Sequence, residues 1–181
     1  MKFDKILVVD IESTCWEEPK TYDISEIIEI GISPIDTKSG NVLDSRSIIV
    51  RPEHSEVSEF CTKLTTLTQE DVDPGISFKD ACDILVNEYH SKKYIWSSYG
   101  YFDKGQFVEQ CEREDIGYPF SKAHINIKML FALKYSLTKD VGMMKALKLL
   151  NMPLIGTHHR GVDDSRNVAN ILSRILFNNT R

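Results

Sequence analysis

The chain has 181 residues, 41% hydrophobic and 27% charged, the make-up of an ordinary globular domain with one sizeable core. No apolar run approaches the length of a membrane span, and the start "MKFDKILVVD" lacks a signal-peptide profile, so neither a membrane partner nor secretion is expected. The net charge of −5 disfavours a uniformly basic nucleic-acid coat, yet the charge is unevenly spread. Residues 10–30 carry Asp10, Glu12, Glu17, Glu18, Asp23, Glu26 and Glu29 against Lys20 alone. Residues 121–150 carry Lys122, Lys128, Lys134, Lys139, Lys145 and Lys148 against Asp140 alone. These two edges suit either metal ions held beside a phosphate chain or a plain solvated surface.

Cys15, Cys61, Cys82 and Cys111 are scattered with no C-x-x-C pair, which argues against a zinc knuckle and a disulfide framework. Four reduced thiols and a cytoplasmic address are the expectation. No repeat, linker or low-complexity tract divides the chain, so a single domain over 1–181 is expected.

"KILVVD" is a continuous apolar run, the pattern of a central strand buried on both faces. "EIIEIGISPID" and "NVLDSRSIIV", separated by "TKSG", read as a hairpin beside it. Residues 52–76 look irregular, with a helical turn around "TQEDV". A helix near Phe78–Tyr89, a strand "KYIWSSY" and a helix from about Lys104 to Glu114 follow, then a short amphipathic "GMMKALKLLNM". Strands alternating with helices after an opening hairpin predict an α/β fold with a mixed sheet.

In the last helix Val168, Ile171, Leu172, Ile175 and Leu176 recur at helical spacing and form an apolar stripe. Carried back one turn, the stripe reaches Asp164, while Asp163 falls on the polar side with Asn167 and Asn170. Asp164 is therefore expected to point inward, and Asp163 to be a dipole-favoured acid of the first turn.

Asp10 and Glu12 lie two apart at the end of the first strand, so both carboxylates share a face. Such a pair repels unless a cation sits between its members. Asp103 follows the strand "KYIWSSY"; alone, it reads as a helix N-cap. With Asp10, Glu12 and Asp164 it completes four carboxylates that can converge at one sheet edge. Hard oxygen donors of this kind suit Mg²⁺ or Mn²⁺, and two such ions make the clamp used for in-line phosphodiester displacement.

Asp-x-Glu, a later Asp, and His-x-x-x-x-Asp resemble the motifs of the DEDDh 3′–5′ exonucleases, a family that includes ribonuclease T and the polymerase III proofreading subunit. "DIESTCW", "EIIEIG", "VRPE…SEFCTKLTTLTQEDVD", "INIK", "ALKLLNMP" and "HRGVDDSRNVANI" are most similar to its branch of histone-mRNA 3′-end exonucleases and KapD-like proteins. The likeness covers nearly the whole chain in order. It implies an RNase H-like fold with a mixed sheet of about five strands. It also implies release of nucleoside 5′-monophosphates from single-stranded 3′ ends with two Mg²⁺ or Mn²⁺ ions, RNA being favoured over DNA. One departure stands out: that branch usually reads Leu-Thr-Gly-Ile where this chain has Leu64, Thr65, Thr66 and Leu67.

The His-to-Asp spacing fits His159 with Asp164 and equally His158 with Asp163; the inward phase of Asp164 selects His159. In an extended loop His158 would then face away. Asp10, Glu12, Asp103 and Asp164 become the expected metal ligands, with His159 the general base. Thr14, Trp16, Leu64, Phe102 and Arg160 are candidate substrate contacts, with core packing or ordinary exposure as the rival reading of each. Glu29 is either a support beside the site or a surface acid. Two alternatives stay open: a DNA-directed 3′–5′ exonuclease, and a binding module of the same fold that does not cleave. No protein partner is indicated.

Overall fold

The computed structural model describes residues 1–177. Five strands, β1 (Lys2–Ser13), β2 (Ile27–Asp36), β3 (Arg46–Ile49), β4 (Tyr94–Ser98) and β5 (His124–Asn126), form one sheet in the order β3-β2-β1-β4-β5. β1 and β3 flank β2 antiparallel, while β4 runs parallel to both β1 and β5. This is the expected mixed sheet, with the apolar first strand at its centre. The helices are α1 (Glu59–Thr65), α2 (Gln69–Val72), α3 (Phe78–Asn87), α4 (Phe102–Arg113), α5 (Ile127–Lys134), α6 (Met143–Leu149) and α7 (Gly161–Phe177). No helix among the described residues is long and apolar enough to cross a membrane.

Alternation along β1 splits the core in two. Leu7, Val9 and Ile11 pack with Phe78, Leu85 and Phe107 from α3 and α4 on one face. Ile6 and Val8 pack with Phe131, Ala146, Val168 and Leu172 from α5, α6 and α7 on the other. Asp10 and Glu12 continue the second row, so the strand delivers both carboxylates to the α7 side. Across the antiparallel pair Asp10 faces Gly31 and Glu12 faces Glu29.

Gly31 is what lets α7 begin there. A Cβ on it would lie 1.9 Å from the Gly161 carbonyl oxygen, so any side chain would push the first turn of α7 off the sheet. Further along the same face, Ser33 Oγ meets Ser165 Oγ at 2.9 Å.

The structure departs from the sequence expectations in several places. α1 occupies residues expected to be irregular, capped by the Ser58 hydroxyl, which accepts from the Cys61 N–H. β5 and α5 were not anticipated: a three-residue strand is too short to show an alternation. Val168, Ile171, Leu172 and Ile175 are buried, but Leu176 is 40% exposed, lying roughly a quarter-turn from the centre of the stripe. Asn167, expected on the polar side, is buried; its amide pairs with both the N–H and the carbonyl of Ile155. The four thiols are unbonded, with Cys61, Cys82 and Cys111 packed in the interior.

α1 ends on Thr66, whose φ of 66° lies in the left-handed region while its N–H closes the helix on the Thr62 carbonyl. This is the conformation for which helix ends recruit glycine, and a β-branched residue holds it at a cost of about 1–2 kcal/mol. The Thr66 side chain is exposed, so little packing would be lost on removing it. Thr66→Gly should therefore raise stability by about 0.5–1 kcal/mol, the strain relieved less the extra freedom glycine has when unfolded. Calorimetry would read this as a Tm increase of a few degrees. An unchanged or lower Tm would mean that Thr66 is not strained.

Candidate active site

The carboxylate end of β1 opens into a cavity of about 410 Å³. Asp10, Glu12, Asp103, His158, His159 and Asp164 line it, with Leu64, Tyr99, Phe102 and Met143 as apolar walls. Carboxylate oxygens of Asp10, Glu12 and Asp164 lie within 4.8 Å of one another, brought together by one strand face and the first turn of α7. Asp103 reaches the cavity from the second residue of α4. It is not the cap of that helix: its Oδ1 accepts the Ile11 N–H at 3.0 Å, tying α4 to β1 between the two strand carboxylates.

Glu12, Asp103 and Asp164 are all nearly inaccessible. Burial, then mutual repulsion, pushes Glu12 up to about 8, and burial pushes Asp103 up to about 6. Asp10 rises well above the carboxylate range through burial and then through repulsion from Asp103. Burial likewise raises Asp164, against the opposing effect of its hydrogen bonds. Three clustered hard donors fit a divalent cation, and so does Asp164 Oδ1, buried with no hydrogen-bond partner among the described residues.

This electrostatics has a measurable consequence. A carboxyl whose pKa is raised by folding holds a proton that the unfolded chain has lost. The contribution of these two carboxyls to the stability of the metal-free protein is therefore fullest below the ordinary carboxylate range and is lost as pH rises through about 6 for Asp103 and about 8 for Glu12. A cation binds the deprotonated form, so the Tm increase produced by a constant Mg²⁺ concentration should be small near pH 5.5 and several-fold larger near pH 8, a range spanning both shifted values. Equal protection at both values would mean the cluster is already ionised without metal.

The histidine loop is not extended, which corrects the expectation that His158 faces away. His159 has φ 63°, and this left-handed residue turns both imidazoles to one side, stacked with centroids 3.9 Å apart. Asp164 Oδ2 accepts the His159 N–H at 2.9 Å and lies 2.8 Å from His158 Nδ1. The carboxylate thus organises the loop as well as facing the cavity. Burial and the neighbouring His158 lower the pKa of His159. Asp163 points the other way and accepts the Thr157 N–H at 2.8 Å, covering Gly156, whose φ of 73° makes the preceding turn.

Among the expected substrate contacts the structure brings Leu64 and Phe102 to the cavity, 37% and 64% exposed. It does not bring Thr14, which is buried, its hydroxyl accepting the Glu26 N–H and meeting Ser55 Oγ. Trp16 borders a separate depression with Tyr22 and His54. Arg160 does not line the cavity; its Nε donates to Glu29 Oε2 at 3.0 Å. Glu29 is wholly buried and also accepts the Gly161 N–H and the Ser47 hydroxyl, so it anchors the start of α7 to β2. Its support role had a sequence signal, an acid set between apolar residues in "IIEIG". Tyr99 and Met143, which line the cavity from elsewhere, carried none.

The Exonuclease (RNase T) profile matches residues 7–172, from β1 through most of α7. The chain belongs to this exonuclease family. Rat 3′-5′ exoribonuclease 1 is 33% identical over 184 residues, covering 96% of this chain and 53% of the rat protein. Human ERI1 exoribonuclease 2 is 30% identical, covering 92% of this chain and 28% of that protein. The chain thus spans about half, or less, of the length of these relatives. The nuclease domain of 3′hExo, a DEDDh family member solved with rAMP, superposes with a TM-score of 0.88 at 30% identity, covering 98% of this chain and 94% of that one. The RNase H-like exonuclease fold expected from the motifs is therefore the fold of this family member.

Proposed function

We propose that the chain is a 3′–5′ exoribonuclease domain that releases nucleoside 5′-monophosphates from single-stranded 3′ ends, using two Mg²⁺ or Mn²⁺ ions. The observation that carries this reading is the convergence of Asp10, Glu12, Asp103 and Asp164 with two histidines on one nucleotide-sized cavity. The similarity to exoribonucleases, and to a nuclease domain solved with rAMP, supports RNA as the substrate.

In this reading Asp10, Glu12 and Asp164 hold the cations, with Asp103 closing the set from α4. The cations, when bound, supply charge for the scissile phosphate and a more acidic water. His159 takes the proton of the attacking water; its lowered pKa keeps the imidazole neutral and able to accept. Leu64 and Phe102 flank the terminal base, a stacking contact of about 1–3 kcal/mol for an aromatic ring. The four unbonded thiols support a reducing, cytoplasmic setting.

The test is a time course on 5′-labelled single-stranded RNA and DNA of matched sequence, with Mg²⁺, Mn²⁺ or chelator. A metal-dependent ladder shortening from the 3′ end, faster on RNA, is expected. Equal or faster cutting of DNA would transfer the reading to a DNA-directed exonuclease. No cutting of either strand would leave a binding module of this fold.

A further inference from the structure

The doubled histidine builds a second coordination set beside the carboxylate cluster. Ligand atoms of His158, His159 and Asp164 lie within 4.8 Å of one another, as do those of Asp10, Glu12 and Asp164. The two sets share Asp164 and differ in chemistry. Three carboxylates are hard donors; two imidazoles and a carboxylate are the borderline set that selects zinc, with three protein ligands and one open position. The set is accessible, since His158 is 35% exposed at its side chain and both rings line the cavity.

The loop already brings the three groups together. The left-handed backbone at His159 places the rings together, and the His159 N–H anchors Asp164 Oδ2 beside them. Asp164 Oδ1 remains buried with no hydrogen-bond partner among the described residues. An ion shared by the three would replace the His158–Asp164 hydrogen bond.

We propose that His158, His159 and Asp164 form an inhibitory site for Zn²⁺ or a similar borderline transition-metal ion. Occupancy takes Asp164 from the Mg²⁺ cluster and His159 from proton transfer, so one ion removes two members of the hydrolytic set. Only ligand exchange is involved. The inhibitory part rests on the proposed exoribonuclease reading; the binding part does not.

The experiment titrates Zn²⁺ into the metal-free protein against a chromogenic chelator, with and without excess Mg²⁺, for wild type, His158→Gln and Glu12→Gln. Co²⁺ replaces Zn²⁺ in a parallel set read by visible absorption, and Mg²⁺-driven RNA hydrolysis is followed with added Zn²⁺. His158→Gln should weaken Zn²⁺ binding by at least roughly tenfold to a hundredfold, the loss that removing even an outer partner of a metal ligand produces. It should raise the half-inhibiting Zn²⁺ concentration in proportion. Glu12→Gln should keep the Zn²⁺ affinity and the Co²⁺ spectrum while losing Mg²⁺ binding. Equal Zn²⁺ affinity in wild type and His158→Gln, or a loss in Glu12→Gln alone, would place the ion among the carboxylates and overturn the site. Hydrolysis unaffected by Zn²⁺ at saturation would overturn the inhibition. Tight, His158-dependent Zn²⁺ binding in a protein that cuts no RNA would support the site while the exoribonuclease reading fails.

Discussion

Asp164→Asn is expected to lower RNA hydrolysis by at least about a thousandfold, because several kcal/mol of transition-state stabilisation go with a lost cation ligand and each 1.36 kcal/mol is tenfold. Its neighbour should behave differently. α7 turns Asp164 into the cavity and Asp163 toward the Gly156–Thr157 turn, where an asparagine oxygen can still accept the Thr157 N–H. Asp163→Asn loses a charge at the helix start, about 0.3–1 kcal/mol of stability, and should keep most activity. Initial rates on labelled RNA separate the two. Thermal melts guard against a trivial explanation: Asp164 is held against burial and repulsion, so metal-free Asp164→Asn should melt no lower than wild type. Equal activity loss in both variants would mean that the helix phase does not govern the chemistry.

His159→Ala should cost about 10²–10⁴-fold, the range for removing a general base, while His158→Ala should cost roughly tenfold or less. Both imidazoles border the cavity and both approach Asp164, so proximity does not rank them. Two features do. His159 stands at the family spacing from the inward-facing Asp164, and it alone holds the left-handed backbone that stores strain at the site. His158 contributes a hydrogen bond to an oxygen that the His159 N–H also holds, so its loss leaves Asp164 anchored. A pH–rate profile at saturating Mg²⁺ adds an independent readout: the imidazole's share of the acidic limb should vanish in His159→Ala and persist in His158→Ala, while the carboxylates' share remains in both. The reverse ranking would make His158 the base.

Much of the machinery was legible in local patterns. An apolar run ending in Asp-x-Glu specifies a buried strand with two carboxylates on one face, since side chains alternate whatever the strand pairs with. The stripe through Val168, Leu172 and Ile175 sets the rotation of α7, and with it the inward aim of Asp164, because helical phase is a property of the chain alone. What packs around those elements was not legible. Nothing near Thr14 or Arg160 in the sequence announces that the Glu26 N–H will bond the Thr14 hydroxyl, or that Arg160 Nε will pair with Glu29 from the other end of the chain. The joint orientation of His158 and His159 depends on a single φ angle, which Asp164 and the Asp163-covered turn impose after folding. Periodicity is encoded within a few residues. Hydrogen-bond partners, cavity walls and a left-handed histidine arise only when distant segments meet, and at those meetings the expectations for Thr14, Trp16, Arg160 and His158 gave way.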